Sequence, residues 1–225
     1  SAINQMKADA NKYHFNEGEE IADQALAFFY FSQNLPAEGE KLYKEVLLRM
    51  EDRNAPLGKR FNILRQLLSN ENPQDMALHK LCIQKLKEII AYCEENQIKD
   101  LGYEVTLEGM KYLYYKTLAI DAAKENKMKT VYENLRKIQT LKHAYETDTS
   151  LFSAWLKYYK ESKQYKKGLQ LCEEGLQMPL VQRKIKVYLD LLFYKAEFNR
   201  LLGEYHKACE LYSEYITKND SITSA

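Results

Sequence analysis

Apolar residues recur every three or four positions along most of the chain, the spacing of one face of an α-helix. The first clear helix opens at Ala22 and runs to Phe31, with Ile21, Ala25, Phe28 and Phe29 on one side; Pro36 then interrupts. Leu42, Val46, Leu47 and Met50 stripe a second helix, which the segment NAPLG at 54–58 breaks. Phe61, Leu64, Leu67 and Leu68 mark a third helix, SNENPQD at 69–75 a loop, and Leu81, Leu86, Ile89, Ile90 and Cys93 a long fourth. Beyond Asn96 the pattern predicts a helix over 101–125 paired with one over 127–145. A second pair covers 148–161 and 165–178, with Pro179 as its stop, and a third covers 181–202 and 204–218. No stretch alternates apolar and polar residues long enough to require a strand. The expected fold is all-α, about ten helices in antiparallel pairs.

The last pair carries a motif that recurs. In LLGEYHKACELYSEY, residues 201–215, Gly203 sits where one helix ends and the next begins, a position that favours glycine. Ala196, Gly203, Tyr205, Ala208 and Tyr212 align with Leu156, Lys163, Tyr165, Gly168 and Cys172, and one pair earlier with Ala119, Asn126, Met128, Val131 and Leu135. The small-residue position thus repeats from Val131 to Gly168 to Ala208, at intervals of 37 and 40 residues. Such a period means stacked helical pairs, none able to bury its apolar face alone.

On these residues the chain resembles the tetratricopeptide repeat family. Leu118, Ala119 and Ala122 match the first-helix positions, Trp155, Leu156 and Tyr159 match them with bulkier packing, and Gly203-Glu204-Tyr205 followed by Ala208 and Tyr212 is the best single match. Asn199 stands where an aromatic is expected. The resemblance implies a right-handed superhelix of antiparallel hairpins, one continuous solenoid. Its degenerate hairpins lie in 1–100, as caps, true repeats or a dimer surface, and three better-matched hairpins lie in 101–225.

Composition narrows the function. The net charge of +1 lacks the basic excess of a nucleic-acid binder, so no sequence-specific nucleic-acid partner is expected. No run of about 20 apolar residues offers a membrane span. The first residue is Ser1, which reads as the start of a piece of a longer chain. Cys82, Cys93, Cys172 and Cys209 form no CxxC and read as free thiols, with the compartment left open. The 18 tyrosines read as packing between hairpins.

No catalytic set emerges, and no enzyme, cofactor or metal is expected in this region. His79 and Cys82 have a metal-compatible spacing but no second pair beside them. APLGKR lacks the first glycine of a phosphate-binding loop, no GxSxG or GxGxxG occurs, and KENKMK at 124–129 reads as a solvated hairpin tip. Glu94-Glu95 and Glu173-Glu174 read as solvated faces.

Carried over from the resemblance, a concave groove would present Lys116 and Ile120, then Ser153, Lys157 and Lys160, then Phe193, Tyr194, Glu197 and Arg200. This mixed basic and aromatic set suits an extended peptide or a partner helix. The family's carboxylate clamp for chaperone tails is not implied, because its asparagine positions read Thr117, Ala154 and Tyr194. The tail HKACELYSEYITKNDSITSA resembles the last repeat of arrays in bacterial sensor histidine kinases and related transcriptional regulators, through Tyr212, Tyr215, Lys218, Asp220, Ser221 and Ile222. That implies a sensing region of a two-component signalling protein, extracytoplasmic and membrane-anchored, that relays binding to a C-terminal output. A free-standing scaffold, a cytoplasmic peptide-binding regulator and a homodimer stay open.

Overall fold

The computed structural model describes residues 2–70, 72–141 and 148–223. The protein is all-α; among these residues twelve α-helices and one 3-10 turn form, and the only strand-like feature is an isolated bridge between Asp100 and Thr106. The chain divides into two compact units, 1–114 and 115–225. The division falls inside the sixth helix, whereas the change in repeat quality falls at residues 100/101.

The first unit contains α1 (Ala2–Lys12), α2 (Asn16–Ser32), α3 (Pro36–Asp52), α4 (Leu57–Leu68), α5 (Met76–Glu95) and the start of α6 (Leu107–Lys124). Successive helices from α1 to α5 pack on one another. Its core joins Val46, Ile63, Leu64, Leu86 and Met110, all at most 1% exposed. The second unit continues with the rest of α6, then α7 (Met128–Gln139), the 3-10 turn (Thr149–Leu151), α8 (Phe152–Glu161), α9 (Tyr165–Gln177), α10 (Pro179–Gln182), α11 (Ile185–Leu201) and α12 (Tyr205–Thr223). Here Leu156, Cys172, Val181, Leu191 and Phe198 are wholly buried together.

One turn recurs throughout. A residue with positive φ follows a helix at His14, Asn34, Asn54, Gln97, Asn126, Lys163 and Gly203. The next residue's N–H then reaches back five positions to a helix carbonyl: Leu35 to Tyr30, Ala55 to Met50, Gln164 to Tyr159 and Glu204 to Asn199, each at 2.8–2.9 Å. This paired-bond ending satisfies carbonyls that the helix leaves orphaned. The aligned positions Asn126, Lys163 and Gly203 all adopt it, and the less regular first unit adopts it too.

Five details differ from the periodicity reading. A helix, α1, precedes α2, and α2 begins at Asn16; only Ala10 of α1 is buried, so α1 carries almost no stripe to detect. The segment 100–106 is a turn instead of helix: Gly102, Tyr103 and Glu104 have positive φ, and the Asp100 carboxylate accepts from the Gly102 N–H. Pro179 starts α10 as well as following α9, and a break near Lys184 separates α10 from α11. The stretch 142–145 of the expected 127–145 helix lies outside the described residues, and α7 ends at Gln139.

The fifth difference is the rotation of α2. Ile21, Phe28 and Phe29 are 51%, 67% and 49% exposed, and the buried side carries Ala22, Ala27, Glu20 and Asp23. Arg53 grips Glu20 through two bonds of 2.7 and 2.5 Å, while Arg49 and Lys7 reach Asp23 at 2.5 and 2.6 Å. Small residues let α2 sit close against α1 and α3, and paired cations meet the cost of burying its acids.

Candidate interaction face

All the groove residues expected from the repeat lie in the second unit. Glu197 on α11 gathers three donors, two of them from that set. Its carboxylate accepts from Arg200 at 3.2 Å through both oxygens, pairs with Lys160 of α8 at 2.9 Å, and takes a very short bond from the Tyr212 hydroxyl of α12. Glu197 is 9% exposed, so these bonds replace most of its water. The Arg200 guanidinium, with Tyr212 and Lys160, holds its carboxyl down at about 2 against the opposing effect of burial. Tyr212 moves the other way: burial, and then the Glu197 charge, raise its hydroxyl.

The aromatic members extend this group. Phe193 stands 6.0 Å from Tyr212 and 5.5 Å from Tyr215, centroid to centroid, which places α11 on α12. It also meets Tyr194 edge-on at 5.9 Å; Tyr194 continues to the buried Phe198 at 6.0 Å, and burial raises its hydroxyl. On α8, Trp155 stacks on Tyr159 at 5.3 Å, and Tyr158 stacks on Tyr132 of α7 at 5.0 Å.

The remaining positions are engaged elsewhere. Lys116 pairs with Asp148 at 2.8 Å, and Asp148 caps the 3-10 turn by accepting from the Ser150 N–H. Lys157 donates to the Ala123 carbonyl at 3.1 Å; Ile120 is half-buried and Ser153 exposed. Lys160, Glu197, Arg200, Phe193 and Tyr194 therefore form one patch, and Lys116 and Lys157 tie down neighbouring segments. Sequence reasoning placed Tyr212 as packing alone and missed its hydroxyl bond, because a tyrosine serves both uses with the same letter. The glutamate three residues before an arginine was the legible part.

Among the described residues no group of three or more His, Cys, Asp or Glu is arranged to hold a metal ion, and no helix is long and apolar enough to cross a membrane. His79 and Cys82 are both buried on α5, and burial pushes the Cys82 thiol up to about 12. Compared with protein-family models, curated proteins and solved structures, the chain returns no match.

Proposed function

We propose that the chain is a non-catalytic interaction region, in which the patch on α8 and α11 receives a peptide or protein partner and passes the event to α12. One observation supports this reading above the others: Glu197, which accepts the hydroxyl bond from Tyr212 of the last helix, is the same carboxylate that Lys160 and Arg200, the cations of the patch, engage. A partner that engages Lys160 or Arg200 competes with Glu197, and the hold on α12 changes with it. Such a relay requires a partner that binds the two arrangements of α12 with different affinity.

The finer reading is a tetratricopeptide sensing region of a bacterial two-component protein, extracytoplasmic, with its output beyond α12. The tail resemblance supports it, and so does the continuity of α12, which runs as one helix from Tyr205 to Thr223 through the Lys218–Ser221 segment. The experiment is a peptide-display selection on the chain. Selected peptides are measured by calorimetry against the parent, Lys160→Ala, Arg200→Ala and Tyr194→Ala. Losses of about tenfold or more in at least two variants are expected for contacts at the centre of an interface. Equal affinity for all four proteins removes the patch as the site. Bound peptide is also expected to alter amide exchange along α12; binding without that change removes the relay and leaves a plain scaffold.

A further inference from the structure

The outward stripe of α2 calls for a partner. Ile21, Ala25, Phe28, Phe29 and Ser32 follow one another at helical intervals and are all exposed. With Ile21, Phe28 and Phe29 about half to two-thirds bare, they present about 300 Å² of apolar surface, taking about 150–250 Å² for a large side chain.

Charge constrains the occupant. The four acids of α2 are all paired with cations of their own unit: Glu17 with Lys59 at 2.9 Å, Glu19 with Arg49 at 3.8 Å, Glu20 with Arg53 and Asp23 with Arg49 at 2.5 Å. The stripe itself holds no ionisable side chain. A charged partner gains nothing there, and depletion of charge is the mark of an interface centre. A lipid surface is disfavoured as well, because the basic flank that usually accompanies such a helix is missing from α2.

The spacing adds a symmetry. Ala25 is the small central residue, Ile21 lies four positions before it and Phe29 four after. Two such helices laid antiparallel about a dyad at Ala25 bring Ile21 of each against Phe29 of the other, with alanine facing alanine where the backbones come closest. A two-fold contact needs this self-complementarity, in which residue i meets j and j meets i.

We propose that the Ile21–Ala25–Phe29 stripe of α2 is a two-fold contact between two copies of this chain. A standard interface takes about 800 Å² from each partner. The stripe supplies the dry centre of a smaller contact, so the dimer is weak and concentration-dependent.

Sedimentation velocity over about 1 to 100 μM, spanning the range expected of a contact this small, gives the first test. A monomer–dimer equilibrium is expected, with Phe28→Glu and Phe29→Glu each weakening it about tenfold or more while far-UV circular dichroism stays unchanged. Ala25→Cys, in a Cys209→Ser background, is expected to link two chains under mild oxidation, and Gln33→Cys in the same background is not. A chain that stays monomeric throughout, with no Ala25→Cys link, overturns the proposal. So does a dimer that survives Phe29→Glu, or a monomer whose stripe binds neutral phosphatidylcholine vesicles instead.

Discussion

Gly168 on α9 is the tightest approach in the second unit. A Cβ built there falls on the ring of Phe198, with Cε1 at 2.7 Å and two further ring atoms closer still. Phe198 is 0% exposed and has Tyr194 and Tyr165 beside it at 6.0 and 6.5 Å, so the ring has nowhere to retreat. Gly168→Ala gains up to about 1 kcal/mol in helix propensity. Against this, forcing a methyl into a filled core costs about 1–3 kcal/mol, with the high end expected where the obstacle is a rigid, fully buried ring. The net expectation is a loss of about 1–2 kcal/mol. The assay is urea unfolding followed by the fluorescence of Trp155, the single tryptophan, which lies in the same unit and reports that unit's own transition. Adding Phe198→Leu removes the ring the methyl strikes. The two changes should couple by at least about 0.5 kcal/mol in the rescuing direction. A Gly168→Ala protein as stable as the parent, or a strictly additive double variant, refutes the close-approach reasoning.

Three further outcomes follow from the described geometry. Glu197 is held at about 2, below its unfolded value, so its contribution is present above that unfolded value and is lost as pH falls from about 5 to about 2. The stability difference between the parent and Glu197→Gln, on the order of 2 kcal/mol near neutrality, should therefore shrink over that window in acid titrations of urea midpoints. Gly203 has φ +86° with open space around its Cβ position, so Gly203→Ala costs only the left-handed conformation, about 1–2 kcal/mol, and Lys163→Gly, at φ +57°, should stabilise by about 0.5–1 kcal/mol. Cys209 is exposed, while Cys82, Cys93 and Cys172 are buried and burial pushes Cys82 and Cys172 up to about 12; a thiol reagent should modify one residue in the native protein and the other three only on addition of denaturant.

Helical class was legible because apolar residues at intervals of three and four mark a helix whatever it packs against. The side that faces inward was not. In α2 Ile21, Phe28 and Phe29 point out while Phe31 packs on the core, and the inward side is set by Arg49 and Arg53, which come from α3 and its C-cap and leave no local trace. The recurring turn was read only where Gly203 announced it. Asn34 and Asn54 share an asparagine, which tolerates this conformation, but His14 and Gln97 carry no such signal, since the backbone bonds define the turn. In the candidate patch, the spacing of Glu197 and Arg200 on one helix was readable. The bonds from Lys160 and Tyr212 join residues on other helices and needed the fold.

The buried acids of α2 have a kinetic meaning. This helix owns two faces that could satisfy a core: a narrow one of alanines with paired acids, and a broad greasy one of Ile21, Phe28 and Phe29. With α3 absent, Lys7 of α1 offers Asp23 one partner but Glu20 has none, and the greasy face competes for the inward side. Correct docking then waits for Arg49 and Arg53 to arrive, and α3 acts as a proofreader of how its neighbour is turned. Without those two guanidiniums, the helix would keep its length and helicity and lose its sense of which way is in.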